Sequence, residues 1–272
     1  MKTIQQLALL PIFACSVSSM AFADTYSIGI VPQFEVKKLH AIWKPILDEL
    51  SVRTGHQFVF RGAPTISAFE KEFLAGQFDF AYMNPYHYFV AQDIYTPLVR
   101  DVGKQLSGIV VVAKDSPYQS LADLNKKLIA LPAPNALGAS LMTRAAMTNE
   151  YKIDYFTKYV NTHSSVYLNV ALGKADAGGG VLKTLSQQPE RIQQRLRVLY
   201  TTPKVAPHPV VVNKQVPASV AKQVQEAFLA IGSTSAGAEL LAKVPFKTIG
   251  VATTIDYEPF KALKLDAFYV HP

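Results

Sequence analysis

The sequence nearly lacks cysteine. Cys15 is the only one in 272 residues, which excludes a disulfide framework and any metal site built on paired thiolates. The six histidines show no H-E-x-x-H or H-x-x-x-H spacing, and no G-x-S-x-G nucleophile elbow occurs. The glycine-rich run "AGGGV" lacks the G-x-x-x-x-G-K-[ST] order of a phosphate-cradling loop. Enzyme classes with a local signature are therefore not supported, and neither a catalytic role nor a cofactor is expected. Beyond its N-terminal segment the chain has no apolar run near the roughly 20 residues needed to cross a bilayer. Basic residues exceed acidic ones, 27 to 20, for a formal charge of +7. They are scattered, with adjacent lysines only at Lys37-Lys38 and Lys126-Lys127. A nucleic-acid module concentrates such charge in a stripe, so no nucleic-acid partner is expected. A mild positive field suits solubility or small anions.

What is present begins with an export pattern. Lys2 is the only charge before Asp24, an apolar stretch runs from Leu7 to Ala14, and Ala21-Phe22-Ala23 ends it. A positive start, a short apolar core and small residues flanking one position are what signal peptidase reads. Residues 1–23 are thus expected to be a signal peptide cleaved after Ala23, which removes Cys15 and leaves a thiol-free chain in the periplasm.

Periodicity then gives alternating strands and helices. "TYSIGIV" reads as a buried strand, and Leu39, Ile42, Trp43, Ile46, Leu47 and Leu50 recur at helical spacing until Gly55 ends the run. "QFVFRG" reads as a strand. "TISAFEKEFLAGQ" reads as a helix capped by Thr65 or Ser67, with Glu70 completing a capping box after Ser67. "FDFAYM" is a strand and "PYHYFVAQ" a helix opened by Pro85. The order continues through helices over "NALGASLMTRAAMTN" and "LKTLSQQPERIQQRL" to the strand "RVLYTT", a proline-rich return "PKVAPHPVVVN", and three closing helical stretches from Ala218, Ser233 and Tyr257. Such alternation implies sheets covered on both faces.

Four segments, in this order and spacing, carry a resemblance: "YSIGIVPQFEVKKLHAIWKPILDEL", "GQFDFAYMNPYHYFVA", "SGIVVVAKDSPYQSLADLNKKLIAL" and "THSSVYLNVALGKADAGGGV". Together the chain resembles the periplasmic substrate-binding proteins of phosphate, phosphite and phosphonate ABC transporters, the PhnD-like type II binding proteins. The resemblance implies two Rossmann-like α/β lobes joined by a two-strand hinge. Lobe one would be residues 24–106 plus 207–272, and lobe two residues 107–206. It also implies a small anionic ligand, phosphonate- or phosphate-like, in the cleft. The expected partner is an ABC permease, with the protein itself a monomer. The rival reading is a sensory subunit serving a membrane histidine kinase or diguanylate cyclase.

By the same resemblance the ligand residues are Tyr82, Asn84 and Tyr86 from the first lobe. Asn135, Leu137, Gly138 and Ser140 contribute from a helix start, with His163 and Gly179, and His208 is added from its place between prolines in the second crossing. Asn135 can equally be a helix cap, and His163 a capping or core histidine. The glycines of "AGGGV" would leave room for ligand. Where the family has hydroxyls in D-P-x-S-T-S-G, this chain has Ala136, Leu137 and Gly138, and a family tyrosine falls at Ile66. Main-chain N–H groups at a helix start can still hold an anion, but the ligand is expected to differ or to be less polar. Phe78, Phe80 and Phe89 are read as core, and Arg144 as a solvated helix residue.

Overall fold

The computed structural model describes residues 24–244 and 246–272. The expected signal peptide and its cleavage site lie outside them. Two sheets organise the chain. The first takes β1 (Thr25–Ile30), β2 (Gln57–Gly62), β3 (Phe80–Tyr82), β4 (Tyr95–Asp101), β10 (Val210–Asn213) and β11 (Ile249–Val251), in the order β11-β4-β10-β3-β1-β2. The second takes β5 (Gly108–Ala113), β6 (Lys127–Leu131), β7 (Tyr155–Tyr159), β8 (Ala177–Val181) and β9 (Leu196–Thr201), in the order β7-β6-β8-β5-β9. The chain crosses between them twice, from β4 to β5 and from β9 to β10. The two crossings pair once, with Leu106 and Val205 exchanging main-chain hydrogen bonds of 2.8 Å.

Local chemistry explains most elements. Helix α1 (Val36–Thr54) buries Leu39, Trp43, Ile46, Leu47 and Leu50 along one stripe and ends at Gly55, whose φ of +74° is the left-handed stop that glycine adopts without strain. Thr65 caps α2 (Ile66–Leu74), its hydroxyl accepting from Ala68 N at 3.1 Å. Glu70 is not part of a capping box. It is buried against His87 of α3 (Pro85–Val90), Oε1 to Nε2 3.0 Å, among Phe69 and Phe73. Phe78 and Phe80 are core, as expected.

The helix read from "NALGASLMTRAAMTN" starts later and winds wider than expected. Leu137–Leu141 and Ala146–Glu150 are π-type, with Leu141 N bonding Ala136 O five residues back, and only Met142–Ala145 (α4) is regular. Past α5 (His163–Ala171), the single helix expected over "LKTLSQQPERIQQRL" is two, α6 (Leu182–Ser186) and α7 (Glu190–Gln193), because Pro189 precedes the second. Helices α8 (Ala218–Gly232) and α9 (Ser235–Leu241) follow, and β11 is a short edge strand missed in the sequence. The last helical stretch is two 3₁₀ segments, Thr254–Leu263 and Leu265–Phe268.

One hydrophobic cluster fills the first lobe and reaches across the cleft to Leu137, Leu141 and Met142. The second lobe has two smaller clusters, one on each side of its sheet. A fourth joins Ile66 of the first lobe to Ala133, Ala136 and Ala139 of the second. The lobes therefore meet through apolar side chains.

Candidate functional site

The cleft holds two cavities side by side. The smaller, about 20 Å³, sits at the start of the Leu137 helix and is bounded by Ile66, Asn84, Leu137, Gly138, His163 and His208. Its position follows from local structure. Asn84 caps α3, its Oδ1 accepting from His87 N at 2.8 Å, and its Nδ2 donates to Asn135 O across the cleft at 3.2 Å. His163 opens α5 behind the Thr162 cap, with Nδ1 3.3 Å from the Thr184 hydroxyl. His208 lies in the second crossing, stacked on Tyr82 with ring centroids 5.3 Å apart and Nε2 3.3 Å from Gln33 Nε2. Since an amide nitrogen only donates, His208 Nε2 accepts and the ring proton sits on Nδ1.

Both histidines are neutral. Burial pulls His163 down to about 4. Burial, with His87 and His163 nearby, pulls His208 down to about 3. They offer hydrogen bonds to a ligand rather than charge.

The larger cavity, about 510 Å³, shares Gln33, Val181 and His208 with the smaller one. Trp43, Tyr82 and Phe246 form its aromatic wall, and α6 faces them from the second lobe. Two hydrogen bonds close over its mouth from lobe to lobe: Lys183 Nζ donates to Ala242 O at 3.2 Å, and Gln187 Nε2 to Lys243 O at 3.4 Å.

Of the ten positions proposed from sequence, Asn84, Leu137, Gly138 and His163 line the small cavity, Tyr82 the large one, and His208 both. Four lie on neither. Tyr86 is buried between Phe89 and Tyr269, its ring centroid 5.6 Å from each. Ser140 is fully buried one turn inside its helix. Asn135 is not the helix cap, a position Ala136 takes. Its amide is fully engaged by Val270, donating to the carbonyl at 2.6 Å and accepting from the N–H at 2.9 Å.

Gly179 leaves no room for ligand, since a methyl group there would meet Ala139 O at 1.8 Å. It lets helix and strand approach. Arg144 is half-buried rather than on a solvated face; it donates to Pro134 O at 2.8 Å and to Phe268 O at 2.5 Å.

Sequence reasoning missed Gln33, Trp43, Thr184 and Phe246. Trp43 had a signal, but it was the helical stripe of a core residue, and a cavity wall gives the same spacing. Among the described residues no cluster of three or more His, Cys, Asp or Glu side chains is arranged to hold a metal ion.

Residues 28–257 match the family model described as "ABC transporter, phosphonate, periplasmic substrate-binding protein". Among solved structures, PhnD1 from Prochlorococcus marinus (MIT 9301), in complex with methylphosphonate, superposes with a TM-score of 0.81 at 14% identity, covering 90% of this chain and 98% of that one. A binding-protein component of an ABC phosphonate transporter from Pseudomonas aeruginosa gives 0.78 at 19% identity, covering 89% and 86%. A Xanthomonas citri protein solved bound to ATP gives 0.72 at 14% identity, covering 91% and 100%. At these identities the likeness is one of fold, the type II periplasmic binding fold.

Proposed function

The chain belongs to the periplasmic substrate-binding proteins of phosphonate ABC transporters, and on that premise we propose how it captures its solute. Residues 24–106 with 207–272 form one moving body and residues 107–206 the other. They pivot where Leu106 pairs with Val205. A small anionic solute enters the open cleft, the lobes swing together, and the closed shape is what an ABC permease reads. The protein works as a monomer in the periplasm, released from its signal peptide after Ala23, and performs no chemistry on its cargo.

One observation carries this reading: the 510 Å³ cavity takes its walls from both lobes and from both crossings. Any rotation about the crossings must open or close it. Its size falls within the range of about 300–1,000 Å³ usual for small-ligand sites. Of the positions expected from sequence, Tyr82 and His208 line this cavity, and these are the ones we assign to ligand contact. The neutral His208 supplies a directional hydrogen bond rather than charge. The sensory alternative is not the reading that the family favours.

Trp43 is the only tryptophan in the chain and lines the cavity. Titration with inorganic phosphate, alkyl- and arylphosphonates and carboxylates, followed by its emission and by X-ray scattering, therefore tests the reading. A ligand must change the emission and reduce the radius of gyration together. Tight binding with an unchanged scattering curve would remove lobe closure from the mechanism.

A further inference from the structure

The small cavity lies where an anion would meet the helix start, yet it is sealed by aliphatic groups. Ile66 packs on Ala133, Ala136 and Ala139, and Leu137 joins the hydrophobic cluster of the opposite lobe. A volume of about 20 Å³ holds little more than one water. The large chamber differs in three respects. Its wall is aromatic and aliphatic, from Leu39, Ile42, Trp43, Tyr82, Val244 and Phe246. Four lysines surround it, Lys104, Lys183, Lys243 and Lys247, and none makes an ion pair with a carboxylate among the described residues. Its one carboxylate, Asp101, is occupied by the main-chain N–H groups of Gly103, Lys247 and Thr248, at 2.7 to 3.1 Å.

An apolar wall favours an apolar body through burial, while unpaired cations at the rim favour an acidic head. We propose that the cargo of this chain is an amphipathic organic anion. Its apolar body, an aryl or branched alkyl group, lies against Trp43 and Phe246, and its acidic group is directed at the lysine rim. The helix-start cradle is left closed. The inference rests on the cleft being the binding cleft proposed above, and narrows its ligand class.

Phenylphosphonate against methylphosphonate, with benzyl alcohol and inorganic phosphate as partial probes, separates the two levels. Phenylphosphonate is expected to bind at least about tenfold tighter than methylphosphonate, a difference of about 1.4 kcal/mol, and to change Trp43 emission. Benzyl alcohol, which lacks the acid, and phosphate, which lacks the body, are each expected to bind more weakly than phenylphosphonate. Replacing the three exposed lysines together (Lys104→Gln, Lys243→Gln, Lys247→Gln) is expected to weaken phenylphosphonate several-fold at low salt without lowering the melting temperature.

Ile42→Phe, which enlarges a half-exposed position on the wall, is expected to weaken it at least about fivefold. Undiminished affinity in both variants overturns the chamber assignment. Methylphosphonate or phosphate binding as tightly as phenylphosphonate, with lobe closure, overturns the inference and leaves the binding-cleft reading standing. No emission change, melting shift or compaction with any of the four overturns both.

Discussion

The two lobes share a strand-and-helix plan but present different materials to the cleft. The first offers rings: Trp43, Tyr82 and Phe246 pack together, with Tyr82 5.1 Å from Trp43 and 5.8 Å from Phe246 between centroids. The second offers main chain and small residues, because β8 is a buried run of Ala177-Gly178-Gly179-Gly180-Val181. Tyr167 crosses that strand, its hydroxyl donating to Val181 O at 2.9 Å and accepting from Val181 N at 3.1 Å. A surface of rings can adapt by rotamer change. Close backbone packing cannot. The first lobe is thus suited to shaping a ligand seat and the second to being a stiff cover.

The sharpest way to break that comparison is to put a side chain on the cover. Gly179→Val places carbon where Ala139 O stands 1.8 Å away, and main chain on both sides cannot give way. The expected cost exceeds about 4 kcal/mol, in the range that signals a core disruption, so the variant should lose cooperative thermal unfolding. Melting within a few degrees of the parent would show that the second lobe is not close-packed as described.

Next in size is the seat. Tyr82→Ala removes a ring that is only 2% exposed, and such truncations cost roughly 3–5 kcal/mol. Binding and stability should fall together in denaturant titration. Tyr82→Phe tests the hydroxyl alone, which is buried without a partner among the described residues. A gain in stability of about 1 kcal/mol is expected, because an orphaned buried hydroxyl carries an unpaid desolvation cost. A loss instead would mean that the hydroxyl has a partner.

A more gradual effect, spread over pH, comes from the histidines at the junction. His163 and His208 take up protons only near 4 and 3 in the folded chain, against an ordinary value of 6.5. Between those limits the unfolded chain holds more protons, so stability must fall as pH drops below about 6.5, by up to about 1.4 kcal/mol per pH unit for each histidine. The groups nearest His208 are Tyr82, Gln33, His87 and His163, none of them a carboxylate. His208→Gln should flatten the slope between pH 4 and 6 by one proton's worth. An unchanged slope would mean that His208 is charged or exposed in the folded protein.

Legibility in the sequence followed the range of the interactions involved. The α1 stripe, the Gly55 stop, the Thr65 cap and the β3–α3 junction are set within a few residues, and these elements form as the local pattern indicates. The edge strand β11 is only three residues long, too short for alternation to register. Asn135 carried a local signal for a cap, but its partner is Val270, 135 residues away. Gly179 is small because of Ala139, and Trp43 is both core and cavity wall. Periodicity reports that a side chain is turned inward and is silent on whether protein or ligand fills the space beyond it.

The gentlest perturbation concerns a further set of contacts between the lobes. There the C-terminal segment reaches from the first lobe to the second: Asn135 holds both main-chain groups of Val270, and Arg144 holds Phe268 O. If the tail stays with the first lobe as the lobes part, these bonds exist only in the closed form and bias the empty protein towards it. Asn135→Ala removes two neutral hydrogen bonds, together worth about 1–2 kcal/mol. If the lobes move about the Leu106–Val205 pairing, that energy shifts the balance between open and closed forms rather than unfolding either lobe. The variant should show a larger radius of gyration without ligand and an affinity weakened several-fold, since the competent state is less populated. Its melting temperature should change little. Scattering and affinity both identical to the parent would show that the tail rides on one lobe without strapping it to the other.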